Sequence, residues 1–426
     1  MTCTETTELS DAPRLIALNQ SCFCMALSRP DLDAGIIAAT GIEGLDGLLS
    51  DRRNLFAATG VFVSPADVAN MQAQVAAIEA AAALEAFRAA VQARSGDDIT
   101  RVQPQTRGLF MGYDFHISEQ GPQLIEINTN AGGGFLAAGL QDAAGRAAFT
   151  CHDAQLQNEG VAAWKMVETF LSEWRAGGRS ERLDVIAIVD QEPQRQYLYP
   201  DMLMAQHHLE QSGIKTLIVD PSELTYCDGE LLCRSSRVDL VYNRLTDFDL
   251  SEPGNAALRR ALVEDAAIIS PAPRHHAIFA DKRNLVWLSD QDLLRSWGLG
   301  EHHILALEGV PRTLRVTPEN AQALWASRKG YFFKPAAGFG SRATYRGDKL
   351  THRVWSEILK QDYIAQAFVP PNLRAVTVDD QKLTLKYDVR LYTYSGETLL
   401  IAARVYQGQT TNFRTSGGGF AVVYQC

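Results

Sequence analysis

The hydrophobic and polar positions of the first third of the chain predict a helix followed by a β-hairpin. Ser64 suits a helix N-cap, Pro65 suits the first helical position, and Asp67 suits the first turn. The pattern predicts one helix over residues 64–94. Residues 108–130 then alternate between apolar and polar, turn at "SEQGPQ" and alternate again, which is typical of a hairpin.

The second arm of this hairpin carries polar side chains on an otherwise apolar strand. Its sequence, with the loop that follows, is "LIEINTNAGGGF". Successive strand residues point to opposite faces, so Glu126 and Asn128 share one face and form a ledge of two oxygen atoms. A hard cation such as Mg²⁺ accepts oxygen ligands of this kind. The hairpin also brings Asp114 of the first arm close to Glu126 across the ladder.

From about residue 182 the pattern changes to apolar strands that alternate with a helix. The segments "DVIAIVD", "KTLIVD" and "RVDLVYNRL" predict the strands of a parallel α/β layer. Ligands bind at the carboxyl ends of such strands. The polar side chains at those ends are Gln191, Glu192, Arg195, Asn243 and Arg244. The sequence leaves open whether they bind a substrate or are solvated loop residues.

The C-terminal part of the chain places basic residues beside glycine-rich loops. Lys282 starts a predicted helix, and Lys334 ends a predicted strand before the glycines of "KPAAGFGSR". A lysine in this position can contact a phosphate while the N–H groups of the loop close over the others. The alternative is a solvent-facing lysine beside an ordinary turn. A hairpin through "SGET" follows, and then a predicted loop that carries Arg404, Asn412 and Gly417–Gly419.

Charge and composition argue against several classes of partner. The formal net charge of −10 is unlike that of a general nucleic-acid surface, which needs a basic field. The first residues have neither the basic region nor the apolar core of a signal peptide, and no apolar run has the length of a membrane span. The 7 cysteines contain no C-x-x-C pair, which is typical of reduced thiols in a cytoplasm. We therefore expect a cytoplasmic protein without nucleic-acid or membrane partners.

The order of these segments resembles the ATP-grasp family. Two lysines, a strand that stops at a Pro-Pro hinge, a D-x-R strand and an R-x₇-N segment with glycines follow one another as in that family. The E-x-N block that ordinarily comes after them lies here near the N-terminus, as Glu126-Ile127-Asn128. This arrangement is similar to that of eukaryotic glutathione synthetase, a circularly permuted ATP-grasp enzyme, and to that of glutathionylspermidine synthetases.

The resemblance implies an α/β (α+β) fold, in which a circularly permuted ATP-grasp is joined to a central parallel α/β substrate subdomain. It implies four segments along the chain. These are a helical lead-in (residues 1–62), a permuted block with its metal-binding hairpin (63–145), a Rossmann-like substrate subdomain (146–275) and nucleotide-binding lobes (276–426). It also implies ATP and Mg²⁺, with the metal held by Asp114, Glu126 and Asn128.

The remaining site residues also follow from the resemblance. The resemblance implies that ATP lies against the hinge around residues 364–369 and contacts Lys282, Lys334, Gly338, Gly340, Ser341, Gln366 and Phe368. The implied catalytic residues are Arg404, Arg390 and Asn412. The implied substrate contacts are Gly132, Gly133, Glu192, Arg195, Asn243, Arg244, Gly417 and Gly418.

The residues alone leave a structural alternative open at several of these positions. Asp114 could pair with a cross-strand arginine or lysine. Arg390 and Arg404 could form an ordinary surface ladder. Asn412 could be a turn residue, since asparagine is common before glycine clusters.

The function implied by the resemblance is an ATP-dependent carboxylate–amine ligase that acts through an acyl phosphate on small-molecule substrates, and related proteins also imply a homodimer. A second reading keeps ATP but makes the acceptor a polyamine or a peptide. An acidic pocket opposite the glycine loops would favour a polyamine. A third reading is a non-catalytic, ATP-binding regulatory protein.

Overall fold

The structure is a computed structural model that describes residues 11–21, 28–57, 59–95, 98–146, 155–156, 160–338, 343–378 and 381–426. Within these ranges the fold is mixed α/β, with helices packed against several sheets. None of the described helices has both the length and the apolar character that crossing a bilayer requires.

The helices of the described residues are α1 (Asp11–Ser21), α2 (Arg29–Thr40), α3 (Leu45–Ser50), α4 (Pro65–Ala83), α5 (Glu85–Arg94), α6 (Gly134–Arg146), α7 (Ala162–Ala176), α8 (Tyr199–Gln211), α9 (Ala256–Val263), α10 (Pro273–His275), α11 (Asn284–Leu288), α12 (Gln291–Ser296), α13 (Glu301–Ala306), α14 (Ala321–Ser327) and α15 (His352–Ile358). A π-helical turn, His276–Ala280, continues directly from α10.

The strands of the described residues are β1 (Val61–Val63), β2 (Met111–Ser118), β3 (Gly121–Asn128), β4 (Gln155–Leu156), β5 (Val185–Val189), β6 (Lys215–Val219), β7 (Leu224–Cys227), β8 (Glu230–Cys233), β9 (Ser236–Arg237), β10 (Leu240–Asn243), β11 (Ile268–Ser270), β12 (Thr313–Arg315), β13 (Tyr331–Pro335), β14 (Tyr345–Arg346), β15 (Tyr363–Ala367), β16 (Asn372–Val378), β17 (Gln381–Tyr394), β18 (Glu397–Tyr406) and β19 (Gly419–Gln425).

The largest sheet joins the early hairpin to the C-terminal strands. Its order is β1-β19-β18-β17-β2-β3, with β16 beside β17 and β4 beside β19. The predicted hairpin is confirmed, because β2 and β3 pair antiparallel with Asp114 opposite Glu126. On its other side β2 pairs with β17, which puts Asp114 opposite Arg390. Across the next ladder Asp388 of β17 lies opposite Arg404 of β18.

The predicted parallel layer is also confirmed. Strands β5, β6, β10 and β11 form a parallel sheet in the order β11-β10-β5-β6. The neighbouring β7–β8 hairpin turns through Asp228 and Gly229, which both have positive φ, as a two-residue hairpin turn requires.

A smaller antiparallel sheet carries the second predicted lysine. Its order is β12-β15-β13-β14. Lys334 of β13 lies opposite Ile364 of β15, and Gln366 lies opposite Phe332. A separate apolar cluster beneath this sheet contains Phe333, Trp355 and other buried residues. The sheet is therefore a lobe with its own core.

The prediction of one helix over residues 64–94 is wrong at its middle. The N-terminus is as predicted, because Ser64 Oγ accepts a hydrogen bond from the Asp67 N–H at 2.9 Å. Leu84 is extended, however, and separates α4 from α5. The change in direction lets Phe87 pack edge-on against Trp287, where it is 1% exposed. Tertiary packing therefore outweighs the helix propensity of the alanine-rich stretch.

The prediction that Arg404 lies in a loop is also wrong, since Arg404 lies within strand β18. This strand is buried along most of its length, so its side chains do not alternate between apolar and polar. Asp388 on the neighbouring strand supplies the charge that allows an arginine at this position.

Candidate active site

Three cavities meet at Glu126. We name them the hinge cavity, which Lys334 and Phe368 help to line, the inner cavity, which His276 helps to line, and the sheet-edge cavity, which Arg244 helps to line. Their volumes are about 360, 340 and 620 Å³. Glu126 lines all of them, so its carboxylate lies where molecules in the separate cavities would come together.

The hinge cavity lies between the smaller sheet and the largest one. The predicted residues in its wall are Asp114, Glu126, Lys282, Lys334, Gly338, Gln366, Phe368 and Arg404. The rings of Phe332 and Phe368 are stacked, with centroids 6.4 Å apart and planes inclined by 14°. The cavity thus combines an aromatic wall with a basic floor.

Lys334 is buried at the floor of the hinge cavity and is only 6% exposed. Its ammonium donates to the Ile125 carbonyl at 2.8 Å and to Gln366 Oε1 at 2.7 Å. Burial lowers the pKa of Lys334 to about 8, although the charge of Glu126 opposes this effect. The structure therefore excludes the solvent-facing lysine that the sequence left open.

Lys282 links Glu126 to the start of the glycine loop. Its Nζ lies 3.1 Å from Glu126 Oε1 and donates to the Gly338 carbonyl at 2.9 Å. Burial raises the pKa of Glu126, but the charges of Lys282 and Lys334 outweigh burial and keep this pKa below its usual range. Gly340 and Ser341 lie outside the described residues, so their predicted contacts with ATP stay predictions.

Asp114 is held by arginines on the neighbouring strands. Arg390 donates to it from Nε and Nη2 at 2.6 and 2.8 Å, and Arg404 Nη2 lies 2.8 Å from Oδ2. Burial raises the pKa of Asp114, but the charges of Arg390 and Arg404 outweigh burial and lower it overall. The cross-strand pair that the sequence left open is thus present. It is buried rather than a surface ladder, since Asp114 is 2% exposed.

Asp388 continues this charged network and was missed as a site residue. It accepts from Arg404 Nε at 2.8 Å and from the Thr411 hydroxyl at 2.5 Å, and it lines the hinge cavity. Its signal was present in the sequence, because Asp388 and Arg390 are two residues apart on one strand and therefore share a face. The charge of Asp388 fixes Arg404 at the boundary of the hinge and sheet-edge cavities.

The predicted residues of the last loop hold the loop together. Asn412 Nδ2 donates to the carbonyls of Gln407 and Thr410, and Asn412 Oδ1 accepts from the Arg414 N–H at 2.9 Å. A Cβ on Gly417 would lie 2.2 Å from Val378, and one on Gly418 would lie 2.5 Å from the Val405 carbonyl. These residues shape the loop, and their catalytic and substrate roles stay predictions.

The predicted substrate residues divide into a group at the sheet-edge cavity and a group away from it. Gly132 and Arg244 line the cavity, and Arg244 Nη1 lies 3.2 Å from Asp201. Asn243 is fully buried and bonds to the Pro271 carbonyl and the Leu245 N–H. Glu192 and Arg195 pair with each other at 2.7 Å on the surface, with side chains 64% and 78% exposed.

Gly133 has a packing role that can be tested. Its φ is +88°, and a Cβ there would lie 2.1 Å from the ring of Phe420. We expect Gly133→Ala to lower the free energy of unfolding by about 2–4 kcal/mol, from left-handed strain and overpacking together. Urea denaturation measures this. Gly178→Ala is the control, since Gly178 has φ +78° but an open surrounding, and should lose about 1–2 kcal/mol. Equal losses would contradict the packing role.

Two of the three predicted metal ligands fit Mg²⁺. Glu126 and Asn128 both line the inner and sheet-edge cavities and offer hard oxygen donors. Asn128 Nδ2 donates to Asp114 Oδ2 at 3.1 Å. This hydrogen bond identifies the nitrogen of the Asn128 side-chain amide, and therefore also its oxygen, because only the nitrogen can donate to a carboxylate. Both oxygens of Asp114, by contrast, accept from arginine. Among the described residues no cluster of three or more acidic, histidine or cysteine side chains could hold a metal on its own. A ledge of two ligands fits Mg²⁺ that is also bound by phosphates.

Comparison with known proteins finds likeness in structure only. No protein-family model and no curated protein matches the sequence. A glutathione synthetase-like effector from Globodera pallida, solved in its apo form, has a TM-score of 0.56 and 12% identity, covering 96% of this chain and 100% of that chain.

Weaker likeness extends to other solved structures. A putative γ-glutamylcysteine synthetase from Methylobacillus flagellatus has a TM-score of 0.45 at 11% identity, with 82% of this chain and 84% of that chain covered. The ATP-grasp ligase PsnB with a minimal precursor has a TM-score of 0.30 at 14% identity, with 57% and 90% covered. The chain thus has a mixed α/β fold that is similar to the fold of a glutathione synthetase-like protein.

Proposed function

We propose that the protein is an ATP-dependent carboxylate–amine ligase. The observation that carries this proposal is the position of Glu126, which lies at the meeting point of three cavities and beside Lys282 and Lys334. A ligase of this kind must bring a nucleotide, an acid and an amine to one point. The likeness of the fold to that of a glutathione synthetase-like protein supports this chemistry.

The hinge cavity is the proposed nucleotide site. The base would lie between the stacked ring of Phe368 and the backbone of residues 364–369. Lys334 and Lys282 would neutralise the phosphates. Lys282 is paired with one carboxylate, that of Glu126, whereas Lys334 donates to the neutral amide of Gln366. Gln366 fixes the position of Lys334.

Mg²⁺ would be held by Glu126 and Asn128, together with oxygens of the nucleotide. When bound, it would neutralise charge on the β- and γ-phosphates. Asp114, the third predicted ligand, is already bonded to both arginines, so in this proposal it positions them. Lys282 would then exchange its contact with Glu126 for a contact with phosphate.

The reaction has two steps. A carboxylate oxygen of the acid attacks the γ-phosphorus, the P–O bond to ADP breaks, and its electron pair leaves with ADP. The amine nitrogen then attacks the carbonyl carbon of the acyl phosphate, and the C–O bond to phosphate breaks. The phosphate departs with that electron pair and with the proton that the nitrogen loses.

Arg404 is the proposed stabiliser of charge in both steps. Its guanidinium lines both the hinge and the sheet-edge cavities, where nucleotide and acid would approach each other. Asp388 and Asp114 hold it in place and raise its pKa despite burial, so it stays charged. A fixed guanidinium suits the oxygens of a phosphoryl group in transfer.

Trapping of the acyl phosphate tests the proposal. The protein is incubated with ATP, Mg²⁺, hydroxylamine and a panel of carboxylic acids, and hydroxamate and ADP are both measured. A ligase forms hydroxamate with some acid, in amounts that match the ADP released. ADP release that needs no acid, or that gives no hydroxamate with any acid, would contradict the proposal and leave the regulatory reading in place.

The lowered pKa of Lys334 predicts a pH dependence of nucleotide binding. Lys334 is charged below a pH of about 8 and neutral above it. Binding to phosphates favours the charged form, so nucleotide affinity should fall as the pH rises through 8, by up to about tenfold per unit. Calorimetry with ADP between pH 7 and 9.5 measures this. Lys334→Met should bind weakly without this pH step, while the exposed control Lys329→Met should keep it. A flat profile in the wild type would contradict the role of Lys334.

The polyamine and peptide acceptors, as alternatives to a small amine, stay predictions. A polyamine acceptor would be favoured by an acidic pocket opposite the glycine loops. The inner cavity borders the described start of that loop, residues 336–338, and its wall carries Arg94, Lys282 and Arg283 as well as carboxylates. A wall of mixed charge gives a polyamine no advantage.

A further inference from the structure

A fourth cavity lies apart from the three that meet at Glu126. Its volume is about 210 Å³, and none of the residues in its wall lines the hinge, inner or sheet-edge cavity. It lies where α4 is followed by α5, beside residues 103–107, the π-helical turn and the turn between β17 and β18. We name it the arginine cavity, because Arg88, Arg107 and Arg274 line it.

Two of these arginines are held in place by neutral acceptors. Arg88 Nε donates to the Ala82 carbonyl at 2.9 Å, near the end of α4. Arg274 Nη1 donates to Gln92 Oε1 at 3.2 Å and to the Thr100 carbonyl at 3.1 Å. Neither contact uses a carboxylate, so neither positive charge is neutralised. The other N–H groups of both guanidinium groups have no partner in the part of the chain that the structure describes.

The third arginine is anchored through its backbone alone. The Arg107 N–H donates to Glu173 Oε1 at 2.7 Å, and the Gly108 N–H donates to the same oxygen at 3.0 Å. Glu173 is fully buried, so this part of the loop is fixed to the core. The exposed guanidinium of Arg107 makes no hydrogen bond or salt bridge to any described residue. All five of its N–H donors are therefore available to a ligand.

The charge of the arginine cavity is strongly positive. Burial lowers the pKa of Arg274, and the positive charge of Arg88 lowers it further. Among the described residues of the wall, Glu79 carries the one carboxyl group. Burial raises the pKa of Glu79 to about 7, although a hydrogen bond from Tyr113 and the charge of Arg107 oppose this effect. At neutral pH the cavity thus has two to three unbalanced positive charges, in a chain of net charge −10.

The rest of the wall offers contacts for an uncharged organic group. Ile278 and Phe279 of the π-helical turn supply an apolar side. Gln103, Gln105 and Ser395 supply neutral hydrogen-bonding groups. A ligand with an anionic head and a small organic part matches this wall.

The number of charges distinguishes between the possible anionic heads. A phosphomonoester carries about 1.5–2 negative charges at pH 7 and has three terminal oxygens that accept hydrogen bonds. Guanidinium groups suit these oxygens well. A single carboxylate has one charge and two oxygens, so it would leave more of the positive charge unbalanced. The cavity therefore favours a phosphate.

We propose that the arginine cavity binds a small phosphomonoester, with its phosphate held by Arg88, Arg107 and Arg274. Its organic part packs against Ile278 and Phe279. This assignment does not depend on the ligase function, because the cavity shares no residue with the proposed reaction centre. The π-helical turn lines both the arginine cavity and the inner cavity, so the ligand contacts a segment that also borders the reaction centre.

Calorimetric titration with phosphate-bearing probes tests this assignment. The probes are inorganic phosphate, glycerol phosphate, glucose phosphate and phenyl phosphate, and the esters are compared with glycerate, glucuronate and benzoate. At pH 7 the wild type should bind at least one ester, at least tenfold more tightly than the matching carboxylate. Arg107→Gln and Arg274→Gln should each weaken binding of that ester at least tenfold, because each removes a charge and donors that the phosphate needs.

Two controls show where the ester binds. Arg175→Gln removes an exposed arginine of α7, away from the cavity, and should keep the wild-type affinity. Lys334→Met alters the hinge cavity and should also keep it. Thermal unfolding shows whether each variant folds. If Arg274→Gln does not fold, Arg107→Gln decides, since the Arg107 side chain makes no bond within the described fold.

Glu79→Gln supplies a signature that depends on pH. The variant keeps an oxygen for the Tyr113 hydroxyl but cannot ionise. Above pH 7 the ionised Glu79 of the wild type attracts Arg107 and repels the phosphate, so Glu79→Gln should bind the ester at least threefold more tightly at pH 8.5 and equally at pH 6. Tyr113 and His275 stay neutral in this range, because burial raises the pKa of Tyr113 and lowers that of His275. Comparing the two proteins at each pH cancels the titration of the ester itself.

Four results would overturn the assignment. The first is a wild type that binds none of the probes, and the second is a wild type that binds the carboxylates as tightly as the esters. The third is an unchanged affinity in Arg107→Gln. The fourth is loss of binding in Lys334→Met, because the phosphate would then lie in the hinge cavity.

Discussion

Glu126→Gln is expected to lower ATP-dependent amide formation by about 10²–10³-fold, the effect of removing one preorganised charge from a reaction centre. The substitution keeps the shape of the side chain but removes the negative charge that Lys282 contacts and that the proposed Mg²⁺ site needs. The free energy of unfolding should fall by only about 1–2 kcal/mol. This is less than for a fully buried pair, because the side chain is 31% exposed. Coupled ADP release and urea denaturation measure the two effects.

The control for Glu126→Gln is Glu119→Gln. Glu119 lies in the exposed turn of the same hairpin, away from all three cavities, and the change removes the same charge. It should leave activity and stability at wild-type values. If Glu126→Gln kept more than half of the wild-type rate, the meeting point of the cavities would not be the reaction centre.

Asp114→Asn is expected to lower the free energy of unfolding strongly. The carboxylate is 2% exposed and bonds to Arg390 and Arg404, so its loss leaves two buried guanidinium groups with less compensation. Removing one partner of a buried ion pair costs about 3–5 kcal/mol. The variant should also lose activity, because Arg404 would no longer be held from this side. Urea denaturation at pH 7 measures the loss.

The lowered pKa of Asp114 adds a pH signature. The ionised Asp114 carboxylate contributes its full share to the free energy of unfolding above the ordinary aspartate pKa of about 3.9. This contribution is lost as the pH falls through the lower pKa that Asp114 has in the folded protein. The difference between wild type and Asp114→Asn should therefore shrink only in acid. Glu192→Gln is the matched control, since it removes a carboxylate from an exposed pair with arginine and should cost about 0–1 kcal/mol. Similar losses in the two variants would contradict the buried network.

The sequence predicted the parts of the site that depend on local pattern. Strand alternation and a hairpin turn were sufficient to bring Asp114 opposite Glu126. The apolar strands of the parallel layer were equally clear. Lys334 was correctly placed on a strand end, although its burial depends on Gln366 and on the distant Ile125 carbonyl. No local pattern reports contacts of that kind.

Other features depend on contacts that no sequence window contains. The extended residue Leu84 follows from the packing of Phe87 on Trp287. Arg404 lies in a strand because Asp388 on another strand neutralises it. Arg94 and His276 are far apart in sequence and meet at one cavity only in the folded chain. The circular permutation, the four segment boundaries, the homodimer and the cytoplasmic location stay predictions.

The central claim is that a nucleotide binds with Mg²⁺ at Glu126. Calorimetric binding of ATP with and without Mg²⁺, to the wild type, to Glu126→Gln and to Glu119→Gln, tests it most directly. The account predicts binding that depends on Mg²⁺ in the wild type and in Glu119→Gln, and loss of that dependence in Glu126→Gln. Absence of ATP binding to the wild type under both conditions, or equal binding to all three proteins, would contradict it.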